Sequence, residues 1–290
     1  MAISDPVLAR KPALTSAELA DAEALVREAN WNQLAADWQI FLAQGRVYAA
    51  QTATGRIVAT TATLPFGGRF AWVSMVLVTA EYRRRGIATE LMRLAISELA
   101  ERKLTPALDA TPDGRAVYHR IGFEDAWGFQ RLLRKERRAE EGVADAAVDI
   151  RPIAATDWNA VCAYDAAAFG AERGAMLEGL RGRLPPAELL AERGGRIAGV
   201  LLGRNGRIAG HLGPLIAEDD DVACALLARA VDAIDGPLFI DFADAKSQVR
   251  RFLAMRGFAA VRPFTRMIHG TSARFDDAQR TFAVVGPEFG

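Results

Sequence analysis

The chain of 290 residues contains the same order of sequence features twice. Gly55-Arg-Ile-Val-Ala-Thr60 resembles Gly195-Arg-Ile-Ala-Gly-Val200, and the residue offset between these segments is 140. Ile121-Gly-Phe123 resembles Arg256-Gly-Phe258 at an offset of 135. Because offsets of this size are typical of whole domains, the sequence predicts two halves of similar fold.

Each half is predicted to form a strand, a strand, a helix, a strand, a short helix and a final strand. Runs of β-branched residues after glycine turns predict the strands, and apolar residues at helical spacing predict the helices. In the first half these elements cover residues 56–64, 70–78, 86–102, 106–110, 112–121 and 127–134. In the second half they cover residues 196–202, 210–216, 222–234, 238–242, 246–256 and 261–268. Glycine turns that recur by chance are the alternative, but six elements in the same order favour a duplication.

Helical segments are predicted to open each half, at residues 15–29 and 156–169. The first begins with Thr15 and Glu18 at the spacing of a capping box. Charged and small residues interrupt the apolar pattern between residues 137 and 147, which indicates a joint. We therefore predict domains at residues 1–140 and 147–290, of α/β (α+β) class.

The charge balance and the apolar pattern exclude several classes of protein. Lysine plus arginine and aspartate plus glutamate each number 36, which argues against a dedicated nucleic-acid surface. No apolar stretch approaches the roughly 20 residues of a membrane helix, and the first residues lack the pattern of a secretory signal. Cys162 and Cys224 lie far apart, and neither they nor the three histidines have metal-ligand spacing. We expect a cytoplasmic protein, monomeric or homodimeric, without nucleic-acid, membrane or metal partners.

The most informative segment is Val76-Leu-Val-Thr-Ala-Glu-Tyr-Arg-Arg-Arg-Gly-Ile-Ala-Thr-Glu-Leu91, in which a buried strand is followed by a basic turn and a long helix. Gly86 and Ala88 lack bulky side chains, so an anion can approach the backbone N–H groups of the first helical turn. Arg83, Arg84 and Arg85 add positive charge. The pattern indicates a diphosphate site; the alternative is an ordinary turn with solvated arginines.

Two motifs resemble those of the GCN5-related N-acetyltransferase family. Arg83-x-x-Gly86-x-Ala88 resembles the family signature Gln/Arg-x-x-Gly-x-Gly/Ala, and Tyr118 stands four residues before Gly122-Phe123, as in the family. The resemblance covers residues 56–134 and is diffuse in the second half. Residues 108–118 also resemble a YitH-type subgroup, whose members have two tandem domains of this kind.

The resemblance implies that each domain has a mixed β-sheet flanked by helices, splayed open in the first half after the strand that ends at Val78. The pantetheine arm of acetyl-CoA would pair with the backbone in this splay, and the diphosphate would lie on the amides of residues 84–89. The cofactor-binding residues implied are Val76, Leu77, Val78, Arg83, Arg84, Arg85, Gly86, Ile87, Ala88, Thr89 and Thr111. Thr111 stands where the family often has an asparagine.

The resemblance also implies direct transfer of an acetyl group from acetyl-CoA to an amine of a small molecule. A backbone N–H near Val78 would stabilise the negative charge that develops on the thioester oxygen. Tyr118 has the position of the acid that protonates the departing thiolate. The alternative for Tyr118 is a core aromatic residue with its hydroxyl at the surface.

The base and the acceptor site are less defined by the resemblance. Many relatives place a glutamate on the strand at residues 70–78, where this chain has Ser74-Met-Val76. Asp109 and Asp37 are candidate bases, and Asp37 is equally interpreted as a solvated helix residue. A water chain, or an amine that arrives neutral, would also serve.

The segment Asn30-Trp-Asn-Gln-Leu-Ala-Ala-Asp-Trp38 is rich in amides and tryptophan, and the family's opening helices form a wall of the acceptor cleft. Trp31, Asn32 and Asp37 are therefore the predicted acceptor-binding residues. The alternative is that Trp31 or Trp38 belongs to the core.

The two halves differ at the diphosphate turn. The second half has Glu218-Asp-Asp-Asp221 there, and Leu253 in place of the tyrosine. These carboxylates would cap their own helix and repel a diphosphate, so we expect the second half to bind no coenzyme A. For the whole chain, the alternative to an enzyme is a non-catalytic acyl-CoA-binding sensor or scaffold. The missing strand carboxylate favours that alternative, whereas the turn and Tyr118 favour the enzyme.

Overall fold

The computed structural model describes residues 6–11, 14–137 and 148–290. Apart from Arg137, the joint predicted at residues 137–147 lies outside the described residues. The strands are β1 (Val7–Lys11), β2 (Arg46–Gln51), β3 (Ile57–Phe66), β4 (Phe70–Val78), β5 (Thr105–Ala110), β6 (Phe123–Arg134), β7 (Asp149–Pro152), β8 (Leu189–Arg193), β9 (Arg196–Arg204), β10 (Gly210–Ala217), β11 (Leu238–Ala243), β12 (Ala259–His269) and β13 (Thr281–Val284). The helices are α1 (Ser16–Glu28), α2 (Ala35–Gln44), α3 (Ile87–Glu101), α4 (Pro112–His119), α5 (Trp158–Phe169), α6 (Gly174–Glu178), α7 (Asp220–Ala233) and α8 (Ser247–Met255).

The predicted duplication is confirmed in the order of the elements. The series β3, β4, α3, β5, α4, β6 recurs as β9, β10, α7, β11, α8, β12. Both short helices are followed by a glycine in the left-handed region, with φ of 95° at Gly122 and 84° at Gly257. The capping box at the start of α1 is also present, because Thr15 Oγ1 accepts from the N–H of Glu18 and the Glu18 side chain accepts from the N–H of Thr15.

The chain divides into two compact units, and the first comprises Met1–Leu108. Its strands are ordered β1-β2-β3-β4-β5. Neighbouring strands from β1 to β4 are antiparallel, and β4 and β5 are parallel. The apolar side of α3 packs onto this sheet, where Ile87, Leu91 and Ala95 join a buried cluster with Tyr48 and Ala50. Burial of this stripe stabilises the helix that carries the glycine turn at its start.

The second unit comprises Asp109–Gly290, and its strands are ordered β12-β6-β11-β13-β10-β9-β8-β7. Strand β6 belongs to the first half of the repeat, yet it lies antiparallel between β12 and β11 of the second half. The buried core is built on α7, which contributes Leu226, Leu227 and Val231. Among the helices of the described residues, none combines the length and the apolar character that a membrane span requires.

Candidate active site

Strand β4 contains a bulge at Met75. Leu77 lies opposite Thr60 of β3 and Ser74 lies opposite Ala62, so two residues of β4 face one residue of β3. Met75 has a φ of 52°, which is rare for a residue with a side chain, and its carbonyl accepts from Thr60 Oγ1 at 2.8 Å. A bulge of this kind bends its strand and re-aims the residues that follow.

Beside the bulge, β4 separates from β5. Among the described residues the two strands pair over three positions only, where Phe70–Trp72 of β4 lie beside Thr105–Ala107 of β5. The N–H of Thr79 donates to Val58 of β3 at 2.9 Å, so the preceding residue, Val78, directs its backbone groups to the other edge. On that edge the Val78 carbonyl accepts from Arg83 Nε at 2.9 Å. The expected splay is present, and the N–H of Val78 points into it.

Glu28, at the end of α1, fixes the beginning of the turn that follows β4. Its carboxylate accepts from Thr79 Oγ1 at 2.6 Å, from the N–H of Ala80 at 2.5 Å and from Arg83 Nη2 at 3.1 Å. These bonds, the one from Thr79 above all, hold the pKa of Glu28 below its usual range, although partial burial opposes them. Arg83 thus fastens the turn to both α1 and β4 while its side chain stays half exposed. Sequence analysis missed Glu28 because it lies 51 residues from Thr79 and in no motif.

The turn ends at Gly86, which is the residue before the first turn of α3. Gly86 has a φ of 82°, and a Cβ added there would meet nothing within 4 Å. Among the described residues, no side chain caps this helix at Gly86. The first N–H groups of a helix have no acceptor within the helix, and no described hydrogen bond occupies those of Ile87, Ala88 or Thr89. With the exposed Arg84 and Arg85 beside them, these groups form an open, electropositive surface.

In the second unit, α4 carries the predicted acid. Thr111 caps α4 by accepting from the N–H of Gly114 at 3.3 Å, which leaves its hydroxyl hydrogen free to donate. The Tyr118 ring is partly exposed and packs edge-on against Phe123, and the part of the chain that is described offers its hydroxyl no hydrogen-bond partner. Burial of the phenol raises the pKa of Tyr118 to about 12, so the group holds its proton at neutral pH. A Cβ at Gly114 would lie 2.8 Å from Tyr118 Cε2, so the glycine provides space for the ring.

The residues predicted to bind the acceptor differ in exposure. Trp31 is partly exposed and Asn32 is buried, and both lie in the connection from α1 to α2. The interpretation of Asp37 as a solvated residue is wrong, because its side chain is fully buried. Its carboxylate accepts from the N–H of Leu34 at 2.7 Å and thereby caps α2. Trp38 is a core residue, as one alternative predicts.

The other candidate base, Asp109, is also enclosed. Its carboxylate forms two hydrogen bonds with the guanidinium of Arg266, at 2.9 Å and 3.0 Å. Burial raises the pKa of Asp109 to about 6, although the charge of Arg266 opposes this shift. On β4, the strand on which many members of the resembled family have a glutamate, the buried Ser74 hydroxyl has no partner among the described residues.

The second half lacks the open helix start. Asp219 Oδ1 accepts from the N–H of Val222 at 2.9 Å and caps α7, as predicted from the acidic run. Asp219 also pairs with Arg193 at 2.7 Å, and this bond lowers the pKa of Asp219. The described residues contain no group of histidine, cysteine, aspartate and glutamate side chains that could hold a metal ion.

Comparison with known families and proteins matches both halves of the chain. Residues 14–123 match the model of the acetyltransferase (GNAT) family, and residues 161–283 match that of the acetyltransferase (GNAT) domain. The uncharacterised N-acetyltransferase YitH of Bacillus subtilis (strain 168) is 25% identical over 220 residues, which is 76% of this chain and 77% of YitH.

Solved structures show the same fold. A candidate acetyltransferase from Pyrococcus horikoshii is 21% identical with a TM-score of 0.77, over 98% of this chain and 96% of its own. A tandem GNAT protein from the clavulanic acid biosynthesis pathway is 13% identical with a TM-score of 0.63, over 92% of this chain and 100% of its own.

Proposed function

Because the chain is a tandem-domain member of the GCN5-related N-acetyltransferase family, we propose that it moves an acetyl group from acetyl-CoA to an amine of a small molecule by direct transfer. The start of α3 carries this proposal: Gly86 leaves open space before N–H groups that no side chain in the described part of the chain caps. In this proposal residues 1–140 form the coenzyme A-binding domain and residues 147–290 a degenerate one.

The candidate cofactor-binding residues fit the chemistry of coenzyme A. A diphosphate carries negative charge and many acceptor oxygens, which the N–H groups of Ile87, Ala88 and Thr89 would bind. Arg84 and Arg85 would add attraction, while Arg83 holds the turn in place. The edge of β4 from Val76 to Val78 would pair with the amide groups of the pantetheine arm. Thr111 would donate through its free hydroxyl hydrogen.

Acetyl-CoA supplies the acyl group as an activated thioester, and the protein supplies charge stabilisation and a proton. The N–H of Val78 is fixed at the open edge of β4, where it would stabilise negative charge on the thioester oxygen. Tyr118 holds its proton at neutral pH and would give it to the departing sulfur. Trp31 and Asn32 would line the acceptor cleft.

The removal of a proton from the attacking ammonium is assigned to water, or is avoided by an amine that arrives neutral. Asp37 already caps α2, and Asp109 is already paired with Arg266. Both side chains are fully buried, so neither carboxylate is presented to an incoming amine in this conformation.

A second candidate function is a non-catalytic acyl-CoA-binding sensor or scaffold. The observation in its favour is Ser74, whose hydroxyl replaces the carboxylate that many relatives have on this strand. A chain that has the cofactor turn but no general base on β4 is compatible with the binding of acetyl-CoA without catalysis.

A thiol-release assay with acetyl-CoA and a panel of small amines separates the two candidates. The enzyme releases free coenzyme A in proportion to the amine added, and the Gly86→Val variant does not. Binding of acetyl-CoA without amine-dependent release across primary, aromatic and amino-sugar amines would favour the sensor.

A further inference from the structure

The second half has a cleft that corresponds to the splay in the first half. β10 and β11 are parallel and pair from Gly210–Leu212 to Leu238–Ile240, just as β4 and β5 pair over three residues at their beginnings. Strand β10 also has an irregularity between Leu212 and Leu215 in its pairing with β9. The duplication therefore repeats both the short parallel contact and the irregular strand beside it.

In the second half, this cleft contains a further strand of the same chain. Ala283 of β13 lies opposite Leu215 of β10 and also opposite Phe242 of β11. Both contacts are antiparallel, so β13 lies between strands that part after their first residues. The N–H of Ala217 donates to Arg280 at 3.0 Å and extends the contact. An extended segment thus takes up the backbone groups that the splay of β10 leaves open.

The residues after β13 are anchored by buried charges. Glu288 forms an ion pair with Arg204, and both side chains are buried. Arg173 Nη1 donates to the carbonyl of Gly290 at 2.6 Å, and the same guanidinium pairs with the buried Asp165. An isolated buried charge is costly, so the pair with Arg204 favours the inserted state of residues 281–290, and Arg173 adds a charge-assisted hydrogen bond at the end of the segment.

The backbone of β10 is adapted to this segment. Gly213 has a φ of 143°, and a Cβ there would lie 2.0 Å from the carbonyl oxygen of Val284. Only glycine permits so close an approach between the two backbones. The apolar side chains of the segment are equally enclosed, since Phe282 and Phe289 are fully buried.

We propose that the cleft between β10 and β11 is a groove for an extended peptide, and that residues 281–290 of the same chain fill it in place of coenzyme A. The segment and the capped start of α7 exclude the cofactor by independent means: one fills the groove and the other occupies the helix N–H groups. The chain then carries one coenzyme A site, in its first half. The count of one coenzyme A site per chain rests on the proposed function. The filling of the groove by residues 281–290 does not depend on it.

Amide hydrogen exchange on the full-length protein, without and with coenzyme A, tests the proposal. The amides of residues 281–284 are expected to be protected to the level of the core strands, and coenzyme A is expected to leave their exchange unchanged. Fast exchange of these amides in the free protein, or faster exchange when coenzyme A is added, would overturn the proposal. Calorimetric titration is expected to give one coenzyme A per chain, and a value near two would also overturn it.

The Glu288→Gln variant tests whether the ion pair of Glu288 with Arg204 holds residues 281–290 in the groove. Loss of the buried carboxylate charge is expected to speed amide exchange at residues 281–284 by about tenfold or more. The control is Glu172→Gln, at an exposed position, which is expected to leave this exchange unchanged. Equal exchange in both variants would contradict the anchoring role. Should Glu288→Gln not fold, the wild-type exchange profile still decides whether the groove is filled. Absence of coenzyme A binding would refute the proposed function but leave the exchange result at residues 281–284 interpretable.

Discussion

Arg131 of β6 and Asp241 of β11 form a bidentate ion pair, with Nε–Oδ1 at 2.9 Å and Nη2–Oδ2 at 2.7 Å, and both side chains are buried. Arg266 and Asp109 repeat it at 2.9 Å and 3.0 Å. Arg266 follows Arg131 by 135 residues, the same offset that relates Gly122 to Gly257. The duplicated arginine in each half therefore reaches an aspartate that the other half contributes.

This reciprocal pairing explains why the sheet of the second unit includes a strand of the first half. Strands β6 and β12 lie antiparallel along most of their length, so the two duplicated arginines project from neighbouring strands. Separation of the halves would break both bidentate pairs, leaving Asp241 with His211 at 3.0 Å and Arg266 with Asp276 at 3.8 Å. The charges thus favour one particular arrangement of β12, β6 and β11.

The Arg131→Leu variant is expected to lose about 3–5 kcal/mol of unfolding free energy, because the buried Asp241 would lose its bidentate partner and keep only His211 beside it, at 3.0 Å. Urea denaturation measures this change. Arg250→Leu, which breaks an exposed pair with Asp244, is expected to change the free energy by at most about 1 kcal/mol. A second change, Asp241→Leu in the Arg131→Leu background, is expected to restore part of the loss. Equal effects of the buried and the exposed arginine would contradict this account.

Local sequence patterns were sufficient to predict the repeated elements. The strand predicted at residues 70–78 is observed as Phe70–Val78, and the helix predicted at 86–102 is observed as Ile87–Glu101. Glycine turns and helical spacing are local signals; the helix buries apolar residues at helical spacing, and the strand is an apolar run buried along almost its whole length. The capped, acidic start of α7 was predictable for the same reason.

Features that depend on distant contacts were not predictable. Strand β13 has four residues and no alternating pattern, and its pairing with β10 and β11 decides its conformation. The hydrogen bond from Thr79 to Glu28 joins residues 51 positions apart. The alternative that Asp37 is solvated is wrong, and a buried carboxylate that caps its own helix has the same sequence spacing as an exposed one.

The Gly86→Val variant is expected to lose coenzyme A affinity, because a branched side chain would fill the open space before α3 and oppose the left-handed backbone. Calorimetric titration measures the affinity. Gly55→Val is a matched control, since Gly55 has a φ of 86° and equally open surroundings in the turn between β2 and β3. Both variants are expected to lose about 1–2 kcal/mol of stability. Unchanged affinity in a folded Gly86→Val protein would refute the proposed diphosphate site.

The Glu28→Gln variant is expected to weaken coenzyme A binding by about tenfold, because charge-assisted bonds to Thr79, Ala80 and Arg83 would be lost from the turn. Glu81→Gln, which changes an exposed carboxylate of the same turn, is expected to have little effect.

The same variant has a consequence for acid stability. The folded pKa of Glu28 lies below 4.5, so the folded state binds its proton less tightly than the unfolded state. Its contribution to stability is present above pH 4.5 and is lost as the pH falls through the folded pKa. Urea denaturation between pH 3 and pH 7 should therefore show a smaller acid loss in Glu28→Gln than in the wild type, and an identical pH profile would contradict the role of this carboxylate.

The Tyr118→Phe variant is expected to lower kcat by about 10²–10⁴-fold with little change in coenzyme A affinity, because a proton donor acts only as the thiolate departs. Tyr164→Phe, which removes a hydroxyl that donates to Ala198, is the control and is expected to keep full turnover. Since burial raises the pKa of Tyr118 to about 12, ionisation of this phenol should not lower the wild-type rate between pH 8 and pH 10.

The Gly114→Ala variant separates the position of the Tyr118 ring from its chemistry. The new methyl group would lie 2.8 Å from Tyr118 Cε2, so the ring must move while its hydroxyl is retained. Alanine favours the helix over glycine by roughly 0.5–1 kcal/mol, so α4 itself should not be weakened. We expect a loss of kcat of up to about 10²-fold at unchanged thermal stability, because small displacements of a catalytic group are costly. Full turnover in Gly114→Ala, together with full turnover in Tyr118→Phe, would remove this helix from the reaction.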